Sequence, residues 1–164
     1  MGQIKAKTLL QRMSFGDSDK KESQHDIIQQ WTDENIKKIV SETIMKNNDR
    51  PYTIENVKWE HQVMHTNGNY KMVVGFVDLM VHIKGEFYDN LQDTYYEEDR
   101  FIYIEVKTKI PVLGELIRQM RAYQAYPNHY VTYYLVISPD DRHSKKLSEQ
   151  GFWFYKYQDP TLLF

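Results

Sequence analysis

The order of apolar runs in this 164-residue chain predicts an α/β fold, with a mixed β-sheet flanked by helices. Three observations lead there. A long segment near the start repeats its apolar residues at helical spacing, three strand-like runs follow it without an intervening helix, and the remainder alternates helix, strand, helix, strand. The expected order is α-β-β-β-α-β, then α-β, in a single domain of residues 23–164 that follows an N-terminal arm of residues 1–22.

The arm contains a short helical candidate, KTLLQRM at 7–13. SFGDSDKKES at 14–23 comes next, and its Gly, Ser and charged residues read as a loop. Ser23 followed by Asp26 is a capping signal, and Ile27, Ile28, Trp31, Ile36, Ile39, Val40 and Ile44 carry helical structure over about 24–46. NNDRPY ends it. VKWEHQVMH at 57–65 then alternates as a strand, placing Val57, Trp59, His61 and Val63 on one face. Asn67 and Gly68 signal a hairpin into YKMVVGFVDLMVHIKG at 70–85. Residues 86–99 hold six acidic side chains and no basic ones, and read as a solvated loop or a strand extension. RFIYIEVKTKI at 100–110 is the third strand. After Pro111, the stretch LGELIRQMRAYQ at 113–124 spaces Leu113, Leu116, Ile117 and Met120 as a helix that packs on the sheet. YVTYYLVIS at 130–138 is dense in β-branched and aromatic residues, as an internal strand is. A polar helix across DRHSKKLSEQ at 141–150, ended by Gly151, and a strand in FWFYKYQ at 152–158 complete the order.

Composition narrows the chemistry. A hydrophobic fraction of 41% with 13 tyrosines argues against disorder, although 27% of residues are charged. With no cysteine, disulfide frameworks, thiolate metal sites and cysteine nucleophiles are excluded. No stretch is apolar for the length of a bilayer crossing, and Ala6 stands where a myristoylation signal requires Ser or Thr, so no membrane partner is expected and a cytoplasmic location is the default. A net charge of −2 leaves nucleic-acid binding to a local patch.

The third strand poses the chemical question. Ile102, Ile104 and Val106 point to one face, while Glu105 and Lys107 stand side by side on the other. Alone, such a pair reads as a surface ion pair on a solvated sheet face. Period-two counting in the preceding strand puts Phe76, Asp78, Met80 and His82 together, so Asp78 is an acid within an apolar strand. Asp78 and Glu105 on neighbouring strands can converge on one divalent cation, and hard oxygen ligands suit Mg2+ or Mn2+. Lys107 beside them supplies an ammonium that orients water and stabilises developing negative charge, the composition of a metal-dependent phosphodiesterase site. His82 lies four residues from Asp78, roughly 13 Å along a strand, and is expected at the rim.

GFVD followed by IEVK resembles the signature of the PD-(D/E)xK nuclease superfamily, matched at Asp78, Glu105 and Lys107, with Val77 in place of the proline in the motif's name. Gln119 and Tyr123 match the Gln-x-x-x-Tyr motif of its RecB-type and lambda-exonuclease-like branches, and lie with Glu115 on one helix face. GELIRQ-x-x-x-Y is similar to the corresponding helix of uncharacterised phage and bacterial proteins of this type. The resemblance spans residues 24–138 as an order of elements and implies a restriction-endonuclease-like core. It also implies a magnesium-dependent deoxyribonuclease in which Asp78, Glu105 and the Val106 carbonyl hold the metal and Lys107 positions the water. Gln119 and Tyr123 would orient the lysine or touch the substrate phosphate. A phage-encoded member would work in the host cytoplasm, and a homodimer or larger oligomer would supply a channel or a second cut.

Members often add an acid from the first helix or first strand. Asp26, Glu34, Glu42 and Glu60 qualify by location, with Glu34 and Glu60 first in line. His25 is a further thought, because some viral endonucleases of the superfamily use a helical histidine ligand. Lys109, Arg118 and Arg121 are candidates for contact with nucleic acid. Tyr130, Tyr133 and Tyr134 are candidates for base stacking, although strand propensity accounts for them equally. The alternative function is a catalytically inactive nuclease-like binding or accessory protein of phage replication or recombination.

Overall fold

The computed structural model describes residues 19–126 and 130–160. Helix α1 (Asp19–Glu34) and the short α2 (Ile36–Glu42) precede strands β1 (Tyr52–Asn67), β2 (Tyr70–Asp89) and β3 (Thr94–Val106). Helix α3 (Leu113–Gln124), strand β4 (Thr132–Ser138), helix α4 (Ser144–Glu149) and strand β5 (Trp153–Lys156) follow. The five strands form one mixed sheet in chain order. β1, β2 and β3 are antiparallel neighbours, and β4 and β5 continue parallel to β3. This is the α/β arrangement and element order that the sequence predicts. The expected helix at 7–13 lies outside the described residues.

Helices cover both faces of the sheet. Ile28, Ile36, Ile39 and Val40 of the first two helices pack on Leu79, Val81, Ile83, Ile102, Ile104, Val106, Leu135 and Ile137. On the other face Leu116, Met120 and Tyr123 of α3 and Leu147 of α4 pack on Met80, Tyr103, Tyr134 and Val136. The alternation in β3 and β4 therefore separates two cores, and the charged face of β3 is not the solvated face that Glu105 and Lys107 suggest.

Two local expectations are corrected and one open reading is decided. Helix α1 already includes Asp19, inside the expected loop, in keeping with Lys20, Lys21, Glu22 and Gln24 being good helix formers. It also breaks at Asn35, whose side-chain amide donates to the Trp31 carbonyl and competes with the backbone ladder. Of the two readings of the acidic segment 86–99, the strand extension is the one that forms. β2 runs to Asp89, β3 resumes at Thr94, and only the turn between them is left as loop. Glu86 faces Glu97 across the ladder, a like-charge pair that Arg50 and Lys84 relieve at 2.7 and 3.0 Å.

The second correction bears on the site. Val57 and Trp59 pack toward the first core, but Val63 belongs to the second and His61 meets Tyr103, at 5.5 Å between rings. The predicted common face of these four residues is broken because Glu60 takes a left-handed φ of 51°, which resets the alternation. β2 changes sides at the same level, with Val77 in the second core and Leu79 in the first.

Candidate metal and phosphate site

The last ladder pair between β2 and β3 at this end is Leu79 with Ile104, so Asp78 and Glu105 follow it side by side. Both side chains are fully buried. Oδ2 of Asp78 accepts the main-chain N–H of Val106 at 2.7 Å, which fixes the β2 acid against the end of β3. Taking two carboxylates out of water is costly unless cations and donors surround them.

Helix α3 supplies the donors to Glu105. Gln119 Nε2 donates to Glu105 Oε2 at 3.1 Å and to the Tyr123 hydroxyl at 3.0 Å. That hydroxyl lies 3.2 Å from Glu105 Oε1 and 2.9 Å from the Phe76 carbonyl, so its proton serves both acceptors. The four-residue spacing puts both side chains on one helix face, and Gly75 lets the Tyr123 ring in: a Cβ there would lie 3.0 Å from Cε1. The resemblance implies that these two residues orient the lysine or touch phosphate. In the structure both hold the Glu105 carboxylate.

Basic side chains flank the acids. Lys107 Nζ stands 3.7 Å from Glu105 Oε2 with its side chain 29% exposed, and His25 Nε2 stands 3.4 Å from Asp78 Oδ1. A pocket of about 160 Å³ opens beside Lys107, walled by Lys109, Ile110, Pro111, Glu115 and Gln119 among others. Ile110 is set by its N–H bond to Asp140 Oδ2 at 2.9 Å, and Arg142 and that N–H hold the Asp140 carboxyl well below the usual carboxylate range.

Of the further acids, Glu60 is brought to this end of the sheet, and Asp26 Oδ1 lies 3.8 Å from Nδ1 of the same His25 that borders Asp78. Gln29, fully buried on α1, donates to the Asp78 carbonyl at 2.8 Å and lies 3.4 Å from Glu60 Oε1. Glu34 is instead exposed and accepts from Gln30 at 2.8 Å, one turn away on its own helix. Glu42 accepts from the Tyr155 hydroxyl of β5. His82 pairs with Asp99 at 2.8 Å and stacks on Phe101, at the rim as expected.

The candidate phosphate contacts divide. Lys109 and Arg118 are exposed, while the Arg121 guanidinium is committed to Gln124, to Gln150 and to the face of Phe152. The tyrosines form no common platform: Tyr134 is buried, Tyr133 bonds Arg100, and Tyr130 leans on Phe101.

Gln29 is the participant that the sequence does not single out. A glutamine among Ile27, Ile28 and Trp31 carries no mark of its partner forty-nine residues away. The Asp78 and Glu105 carboxylates are hard oxygen donors, the ligand type that magnesium takes together with several waters. Among the described residues, no group of three or more His, Asp or Glu is arranged as a complete protein cage for an ion. Comparison with protein-family models, with curated proteins and with solved structures finds no match.

Proposed function

We propose that the chain is a metal-dependent nuclease of the PD-(D/E)xK type, with a restriction-endonuclease-like core, that hydrolyses DNA phosphodiester bonds. One observation carries the reading: the Val106 N–H to Asp78 Oδ2 bond, which sets two buried carboxylates from neighbouring strands beside a lysine and a pocket open to solvent. Asp78, Glu105 and the Val106 carbonyl would hold Mg2+ or Mn2+. Such an ion polarises a phosphate and lowers the pKa of a bound water.

The chain's own groups do the rest. Gln119 and Tyr123 lock the Glu105 rotamer, so a ligand oxygen is preorganised and not free to swing. The Lys107 ammonium, on the open side of Glu105, orients the attacking water and meets negative charge as it builds on the phosphate. His25 Nε2, 3.4 Å from Asp78 Oδ1, borders that carboxylate from the α1 side.

Incubating the protein with linear, circular, single-stranded and branched DNA, with and without magnesium or manganese, tests the proposal. Cleavage is expected with metal only, and to be lost in Glu105→Ala and Lys107→Ala. Full activity in either variant overturns it. A second reading, an inactive binding protein, is favoured by the way both Glu105 oxygens already accept hydrogen bonds. It predicts no magnesium binding by calorimetry and retained affinity for DNA.

A further inference from the structure

The site leaves the outer end of β1 and β2 without a role. β3 pairs with β2 from Leu79 to Asp89, so from Asp78 back to Tyr70 the ladder partner of β2 among the described residues is β1. α3 covers the base of this ribbon, with Tyr123 against Gly75 and the Tyr126 ring 4.7 Å from that of His65. Residues 66–73 project beyond it and are all exposed. A two-stranded ribbon is marginal in water by itself, yet this one presents Tyr70 at 64%, Val73 at 42% and Met72 at 39% exposure.

Charge indicates what covers it. Residues 61–77 contain no Asp or Glu in a chain that has 23 of them, and they include Lys71 and two histidines. The other end of β2 enters the segment 86–99 with its six acids. β2 is thus polarised along its length, with Asp78 at the border of the acid-free end. Glu86, Glu97 and Glu98 at the acidic end are ion-paired with Arg50, Lys84 and Arg100, whereas the acid-free hairpin offers a polyanion approaching the site no carboxylate at all.

We infer that residues 66–73 enter a groove of duplex DNA and hold a double-stranded substrate over the site, an inference that rests on the nuclease reading. The major groove, about 12 Å wide, admits a two-stranded β-ribbon. Asn67, Asn69 and Tyr70 offer the donors and acceptors that base edges and phosphates require, and Met72 offers an apolar contact for a thymine methyl. The eight residues from Asp78 to Tyr70 reach about 27 Å, roughly the rise of eight base pairs. Lys71 is the phosphate contact at the tip.

The test is fluorescence anisotropy of the full chain in EDTA, with a labelled duplex of about 20 base pairs and the same sequence single-stranded. Lys71→Glu reverses the tip charge. Thr66→Glu places a carboxylate at the cross-strand partner of Lys71 and neutralises it without touching it. Both variants are expected to bind duplex about tenfold or more weakly at low salt, with single-strand affinity and thermal melting unchanged. Wild-type affinity for duplex in both variants overturns the inference, as does a wild type that shows no preference for duplex. A ribbon-dependent dimer with duplex binding unaffected also overturns it, by making a second copy the occupant. Cleavage of a single-stranded oligonucleotide with magnesium separates the two readings. If the ribbon inference alone fails, wild-type cleavage persists; if the nuclease reading fails, no DNA is cut while duplex binding still depends on Lys71.

Discussion

The main-chain N–H of Val106 donates to Oδ2 of Asp78 across 2.7 Å, so the acid of β2 is bonded to the residue that follows the acid of β3. The relationship separates structure from chemistry at one position. Asp78→Ala leaves a buried N–H without an acceptor and is expected to cost about 1–3 kcal/mol. Asp78→Asn keeps an acceptor there and is expected to cost less than half as much. Urea denaturation measures both, and both variants are expected to lose metal-dependent DNA cleavage.

Lys107 makes the opposite case, a group whose loss the fold tolerates. Its side chain is 29% exposed and its acidic neighbour Glu105 is held independently by Gln119 and Tyr123. Lys107→Ala is expected to lower kcat by about 10²–10³-fold with an unchanged far-UV spectrum, in line with loss of one charge-stabilising donor. Lys107→Arg is not expected to restore the rate, because a planar fork does not replace a compact ammonium.

Gly75 has no part in chemistry, yet a methyl group there would press on the Tyr123 ring at 3.0 Å. Gly75→Ala is therefore expected to displace the hydroxyl that meets Glu105. The outcome to measure is a drop in cleavage of about tenfold or more with a loss of stability no greater than that of Tyr123→Phe, about 0.5–1.5 kcal/mol for the hydrogen bond. Equal cleavage by Gly75→Ala and wild type would show that the ring position is not critical.

His61 gives the fold a pH dependence. Its Nδ1 is buried with no hydrogen-bond partner among the described residues, and burial, followed by the nearby Lys58, pushes its pKa below the ordinary 6.5. The folded state therefore favours the neutral ring, while the unfolded chain takes up a proton near pH 6.5. The stability linked to this histidine is full above about pH 6.5 and falls as the pH drops, until the folded ring protonates as well. Denaturation midpoints of wild type and His61→Gln between pH 7.5 and 5 are expected to converge as the pH falls. Parallel curves would remove His61 from the account.

Legibility in the sequence followed physical range. Helix α3 was readable to the residue because Leu113, Leu116, Ile117 and Met120 repeat at its period after Pro111, all within a dozen residues. The strand character of 86–99 was ambiguous because like charges disfavour a ladder, and the relieving Arg50 and Lys84 lie on other segments. Asp78, Glu105, Lys107, Gln119 and Tyr123 could be named from spacing and resemblance, and the structure brings them together. That Gln119 and Tyr123 grip the carboxylate was not visible, since a hydrogen bond between distant segments leaves no mark in either. Glu34 and Glu60 looked equivalent for the same reason. Only the fold shows Gln29 linking Glu60 to Asp78 while Glu34 stays in solvent.

The left-handed Glu60 has a consequence for how this molecule tolerates change in length. Because it resets the alternation of β1 opposite the crossover in β2, the inner and outer parts of the hairpin keep their inside–outside pattern independently. Residues added in pairs to each strand beyond Val63 and Val74 would leave every side chain of both cores on its present face. The tip would move outward by about 7 Å per pair. The reach of the ribbon is thus an adjustable dimension, one that paired insertions or deletions can lengthen or shorten without rebuilding the sheet that holds Asp78 and Glu105.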